Sequence, residues 1–290
     1  MKEINFIAKR RVFMSLSLIL ILITLFILIV NKGPNLGLDF TGGTIIQVKF
    51  NQPIEISELR HLLLEKKIPP FEIQNIITAH HKEFLIKVKL TKEEIFQEIE
   101  EILKTKNLNY EIIRREFVGP TIGKYLTRKA FLAILFSLAG IIIYVAIRFG
   151  SSIWGIAGVI ALVHDVFLTI GFLTVLGREI NLTIIAALLT LAGYSINDTI
   201  VIFDRIRENI KLLRKESLEK IMNISINQTL TRTLLTSGTT LMAVVSLFVL
   251  GNRIIKDFAL TLLFGVIVGT YSSIFIASSL VLEYNILKQK

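Results

Sequence analysis

Six runs of apolar residues, Val12 to Val30, Ala130 to Ile147, Ile153 to Leu176, Leu182 to Phe203, Thr233 to Leu250 and Phe258 to Leu282, are each long enough to cross a bilayer. They constrain the fold more than any other feature. In lipid every backbone N–H and C=O needs a partner inside the protein, and a helix satisfies its own. The chain is 290 residues long and 52% hydrophobic, with a mean hydropathy of +0.64, far above that of a soluble domain. A polytopic protein with six transmembrane helices is predicted. Arg10, Arg11, Val12 and Phe13 superficially resemble a twin-arginine signal, yet no small-x-small cleavage site follows Val30, so the first run is read as an uncleaved anchor.

The net charge of +10 does not point to nucleic acid, because the Lys and Arg sit at the ends of apolar runs and form no basic and aromatic patch. With no cysteine there is no disulfide, thiol catalysis or thiolate metal site. Lys2, Lys9, Arg10 and Arg11 precede the first run, Arg148 follows the second, and Arg205, Arg207, Lys211, Arg214, Lys215 and Lys220 lie between the fourth and fifth. Six spans put all of these on one side, which makes it cytoplasmic, with both termini inside.

Three regions follow: residues 1–30 as cytoplasmic N-terminus and first helix, 31–128 as one outer, periplasmic domain, and 129–290 as helices two to six. Within 31–128, Thr44 to Phe50, Phe71 to Thr78, Glu83 to Leu90 and Tyr110 to Phe117 read as strands. Ile56 to Lys67, closed by Pro69 and Pro70, and Thr91 to Lys106, with Thr91 and Glu94 as a capping box, read as helices. The order β-α-β-β-α-β is the split βαβ, ferredoxin-like α+β plan. His80 and His81, adjacent in a turn with no third ligand nearby, are read as exposed turn histidines and not as a metal site.

Asp198, near the cytoplasmic end of the fourth run, is the residue that most demands explanation, since a charge in a bilayer core costs at least about 2.5–3.5 kcal/mol. Arg232, near the start of the fifth, is a candidate partner. If one helix ends near Asp204 and the next begins near Ile226, both charges lie at roughly 9 Å depth from the same face. Tyr194, one turn back, shares the face of Asp198, and Asn197 neighbours it. His164 and Asp165, mid-way along the third run, read either as a proton relay with Asp198 or as a structural pair locking helices together. Thr229, Thr231, Thr233, Thr236, Ser237, Thr239 and Thr240 form a polar seam or plain interhelical glue, and Gly265 and Gly269 a close-packing pair, within this chain or against another.

Gly37, Asp39, Gly42 and Gly43 lie in a glycine-rich segment that opens a strand and so does not cradle phosphate; Gly119, Pro120 and Gly123 form the return. The two read as hinge connectors or as ordinary turns. The charged segment 204–220, with Ile206, Ile210 and Leu213 at helical spacing, is read as an amphipathic helix along the inner surface, drawn to anionic membrane lipid, or as a partner-docking helix.

The runs GYSINDTIVIFDRIREN at 193–209, TLTRTLLTSGTT at 229–240, GLDFTGG at 37–43 and FVGPTIG at 117–123 resemble those of the SecF family of protein-export membrane subunits, relatives of the resistance-nodulation-division transporters. The resemblance covers nearly the whole chain. It implies a bacterial inner-membrane protein that works with SecD beside the SecYEG channel, using the proton gradient to help complete preprotein translocation. It implies proton conduction at Asp198 and Arg232, contact of the outer domain with the emerging chain or partner, and any SecD carboxylate supplied in trans. No cofactor is implied beyond the coupling proton, for which sodium is the alternative, and no enzyme activity. Two other readings use the same residues: a proton-driven small-molecule or lipid exporter, and a passive membrane scaffold.

Overall fold

Capping side chains, and not the limits of the apolar runs, set where the long helices begin. A computed structural model describes residues 4–51, 54–65, 68, 71–77, 82–88, 94–105, 109–149 and 152–289. In chain order its elements are α1 (Arg10–Val30), α2 (Leu38–Thr41), β1 (Gly43–Phe50), α3 (Ile56–Glu65), β2 (Phe71–Ile77), β3 (Lys82–Val88), α4 (Glu94–Thr105), β4 (Tyr110–Val118), α5 (Pro120–Phe149), α6 (Ser152–Val175), α7 (Leu182–Leu212), α8 (Leu218–Leu250), α9 (Arg253–Ser272) and α10 (Ser278–Gln289). A π-helical turn, Ser273–Ala277, joins the last two into one long span. Asn181 accepts from Ile184 N–H at 2.9 Å to open α7, Ser217 from Lys220 N–H at 3.4 Å to open α8, and Asn252 from Ile255 N–H at 3.0 Å to open α9.

Two compact units divide the chain, one of Leu36–Phe131 and one of Met1–Asn35 with Leu132–Lys290. In the smaller, four strands pair antiparallel in the order β2-β3-β1-β4, so that β3 splits the β1-α3-β2 unit as the sequence order predicts. Ile46, Val48, Phe84 and Ile86 from the sheet bury against Leu59 and Leu63 of α3 and Ile99 and Leu103 of α4. The alternating burial of β4 leaves its other face in solvent. His80, His81 and Thr91, and with it the capping box, lie outside the described residues.

Among the described residues six helices are long and apolar enough to cross a membrane: α1, α5, whose first turns belong to the smaller unit, α6, α7, α8 and the α9–α10 span. Half or more of the apolar window is buried in α6, α7 and the last span, against 11–17% in α1, α5 and α8. The first three therefore form the centre, and the others present apolar side chains such as Phe26, Phe136 and Leu250 outward, as lipid-facing helices do.

The segment 204–220 is not a separate surface helix. It is the end of α7, a short turn and the start of α8. Ile206, expected to dip into lipid, is fully buried in the same cluster as Met222 and Ile226, and Asn209 donates to Ser225 and Gln228, both at 2.8 Å, zipping the two helices together. Apolar spacing alone does not distinguish a lipid surface from a partner helix.

Candidate functional site

Asp198 is 3% exposed on the face of α7 that meets α8, and its Oδ2 has no hydrogen-bond partner among the described residues. The expected ion pair with Arg232 is not formed. The helices run farther than the sequence suggests, yet the match in height survives, since Asp198 lies fourteen residues before the end of α7 and Arg232 fourteen after the start of α8. What separates them is rotation. Thr233 and Ser237 are buried on the inner face of α8, whereas Arg232, one residue earlier and so about 100° away, is exposed and acts on Asp198 only through space.

Ser237, on the buried face of α8, and the more distant charge of Arg232 both favour the ionised form of the Asp198 carboxyl. Tyr194 donates its phenol to Ser237 at 3.1 Å and so reaches Asp198 through that serine. Ser237 also lies 2.7 Å from Thr270 Oγ1 on α9. Thr233, one turn before Ser237, keeps its buried hydroxyl unpartnered, while Thr229, Thr236 and Thr239 return theirs to carbonyls of their own helix. The polar seam predicted in the fifth run narrows to one buried stripe, Thr229, Thr233 and Ser237, of which Thr229 is satisfied by its own helix. Asn197 points away from the site and is exposed.

A second polar cluster surrounds Asp165, which is fully buried at the junction of α6, α7 and α9. Its Oδ2 accepts from Ser195 at 2.5 Å and Ser272 at 2.7 Å, and its Oδ1 lies 2.9 Å from His164 Nδ1. His164 Nε2 is 3.2 Å from Ser17 of α1, which in turn is 2.8 Å from the Tyr271 phenol. Both oxygens of Asp165 are engaged, and the bonds, with that of His164 to Ser17, tie four helices together. The geometry supports the structural pair. No hydrogen bond among the described residues links this cluster to Asp198. Ser17, Ser195, Thr270, Tyr271, Ser272 and Ser273 were not singled out by the sequence; their only signal is a hydroxyl in an apolar run.

The glycine motifs are ordered elements. Asp39 lies in α2, Gly42 and Gly43 hold left-handed φ of 69° and 132° where β1 begins, and Pro120 opens α5 just after Gly119. Gly123 lies inside α5, where a Cβ would come within 3.2 Å of the Phe40 carbonyl. Gly37–Gly43 and Gly119–Gly123 are therefore packed together instead of forming open connectors. Gly265 sits over Leu191 and Gly269 over Ser195, so the close-packing pair serves contacts within this chain. Among the described residues no cluster of His, Asp and Glu could hold a metal.

Residues 98–286 match the family described as protein export membrane protein SecD/SecF, C-terminal, and residues 27–54 match the SecD/SecF GG motif. A protein translocase subunit SecF from Calditerrivibrio nitroreducens is 46% identical over 96% of this chain and 93% of its own. One from Escherichia coli O157:H7 is 40% identical over 91% of this chain and 83% of its own. The crystal structure of SecDF, a translocon-associated membrane protein from Thermus thermophilus, superposes with a TM-score of 0.89 at 40% identity, covering 98% of this chain and 39% of that longer one. A structure of SecDF in a super-membrane-facing form superposes with a TM-score of 0.74.

Proposed function

The chain belongs to the SecD/SecF protein-export membrane family, and from that premise we propose that it is a non-enzymatic accessory subunit of the Sec translocase that uses the proton gradient to promote preprotein translocation. It is a multi-pass protein of the bacterial membrane, and on this reading of the inner membrane, with both termini in the cytoplasm. One observation carries the reading. Asp198 is a buried carboxyl with an unpartnered oxygen, in a seam whose other groups are hydroxyls and a cation held at a distance. Buried polar groups are ordinarily satisfied, and those that are not are candidates for work done by a changing charge.

Protonation of Asp198 removes the charge that Arg232 attracts and that Ser237 stabilises; its loss restores both. The walls of the seam, α7 and α8, then have two preferred arrangements, and proton supply selects between them. A charge moved through 100 mV yields about 2.3 kcal/mol, enough to bias states that differ by a few kcal/mol. Sodium is the alternative ion for a carboxyl among hydroxyls. The relative named SecDF is one longer chain, of which this chain spans about a third, so SecD is proposed to join as a separate chain, beside SecYEG and the translocating preprotein.

The test is precursor processing in cells depleted of the endogenous protein, supplied with the matching SecD, and rescued by wild type or Asp198→Asn at equal membrane levels. Accumulation of unprocessed precursor only in the mutant is expected. Equal clearance by both would leave Asp198 a structural residue and sink the proton mechanism.

A further inference from the structure

Ser237 stands where three helices meet. It accepts a hydrogen bond from Tyr194 of α7, its own single proton lies in the 2.7 Å contact with Thr270 Oγ1 of α9, and the carboxyl of Asp198, one turn from Tyr194 on α7, is the second acceptor to which that proton can turn. Thr270 faces the same choice. Its hydroxyl donates to the Val266 carbonyl at 2.9 Å, one turn back in α9, or to Ser237.

Counting protons leaves two self-consistent arrangements. When Asp198 is ionised, Ser237 donates to the carboxylate, and Thr270 turns its proton from Val266 to the freed lone pair of Ser237. When Asp198 is protonated, its claim on Ser237 lapses; Ser237 donates to Thr270, and Thr270 returns its proton to Val266. We propose that Ser237 and Thr270 form a hydroxyl relay that passes the protonation state of Asp198 from α7 through α8 to α9. The relay rests on Asp198 being the titrating group of the proposed function.

Thr270 is well placed to make that change felt. A threonine bond to the carbonyl one turn back bends a helix slightly, so making and breaking it alters the path of α9. The next three residues each hold a different helix. Tyr271 donates to the Phe13 carbonyl of α1 at 2.7 Å, Ser272 to Asp165 of α6 at 2.7 Å, and Ser273 lies 2.8 Å from Thr199 of α7. The π-helical turn begins at Ser273, and such turns hold an extra residue whose position along the helix can shift. Of the charged and titratable groups on the helices packed here, Arg232 lies on α8, Tyr194 on α7, His164 and Asp165 on α6, and Tyr271 on α9. His164, Asp165 and Tyr271 are engaged in the second cluster, and Arg232 is exposed. Asp198 alone competes with Thr270 for the Ser237 proton.

The chain has no cysteine, so spin labels at Leu212→Cys and Leu287→Cys, both exposed, report the α7–α10 distance in the full-length protein without background. In lipid nanodiscs, wild type is expected to show a shift of about 1–2 Å between low and high pH, the size of ordinary helix shifts. Asp198→Asn and Thr270→Val should both lose the shift, and Thr270→Ser, which keeps the hydroxyl and guards against a folding defect, should retain it. A pH-dependent shift that survives in Thr270→Val overturns the relay, as does its absence from wild type. Export lost in Asp198→Asn with the shift intact in Thr270→Val removes the relay and leaves the proposed function standing. Export retained in Asp198→Asn removes the function itself.

Discussion

Asp165 and Asp198 are both buried carboxyls, and their surroundings assign them opposite work. Asp165 receives Ser195 and Ser272 on one oxygen and His164 on the other, whereas Asp198 keeps Oδ2 unpartnered. Asp165→Ala takes an acceptor from Ser195, Ser272 and His164, of which Ser272 keeps the Gly269 carbonyl at 3.1 Å, and each buried group left unsatisfied costs about 1–3 kcal/mol in water-soluble proteins. Membrane hydrogen bonds average nearer 0.6 kcal/mol, so a loss of about 2–4 kcal/mol is expected, read as a lowered Tm of the solubilised protein by Trp154 fluorescence. Asp165→Asn should lose less, and Asp198→Asn, which gives up no satisfied network, should leave Tm nearly unchanged. A Tm as low in Asp198→Asn as in Asp165→Ala would remove the distinction. The carboxyls were legible because a charge in an apolar run stands out. Their partners were not. Ser17 and Ser272 lie 147 and 107 positions from the residues they bond, and hydroxyls are common in membrane helices for ordinary packing.

At the scale of elements, helix type was legible and helix phase was not. Hydropathy located every span but ended the fourth near Phe203 and began the fifth near Thr233, because the following turns of α7 and α8 are polar yet remain helical, held by Asn209, Ser225 and Gln228. The same limit let Asp198 and Arg232 match in height while facing different ways. The glycines of α9 test the packing that hydropathy cannot see. A side chain at Gly265 would overlap Leu191 of α7, whereas Gly193 and Gly238 have open space around them. Gly265→Val should therefore cost about 1–3 kcal/mol through overpacking and broaden the size-exclusion peak. Gly193→Ala should be neutral or stabilising by up to about 1 kcal/mol, since alanine favours helix. Equal behaviour of the two variants would show that α7 and α9 are not closely packed. In the smaller unit, alternation and turn residues led to the observed strand order, because that order follows directly from the β-α-β-β-α-β pattern and right-handed crossovers.

For the whole molecule, the short-loop charges predict an orientation, with both termini in the cytoplasm, that can be checked directly. Asn31→Cys at the end of α1 and Lys215→Cys between α7 and α8 are both exposed. A membrane-impermeant maleimide should label the first in cells with a permeabilised outer membrane, and the second only after the inner membrane is opened. The reverse pattern would invert the protein and place the α7–α8 hairpin on the outer side of the membrane. Energy supply gives the more demanding test, because it ties one residue to the behaviour of the assembly. If a proton falling through the membrane potential works through Asp198, an uncoupler removes that part of precursor clearance which Asp198→Asn has already lost. Wild type should slow to the mutant rate when the gradient is collapsed, and the mutant should show no further slowing. At about 2.3 kcal/mol per charge per 100 mV, the gradient can change a two-state ratio by roughly fifty-fold, so the difference should be large. A mutant that still slows under the uncoupler would place the proton's entry elsewhere, and Asp198 would then join Asp165 as part of the brace.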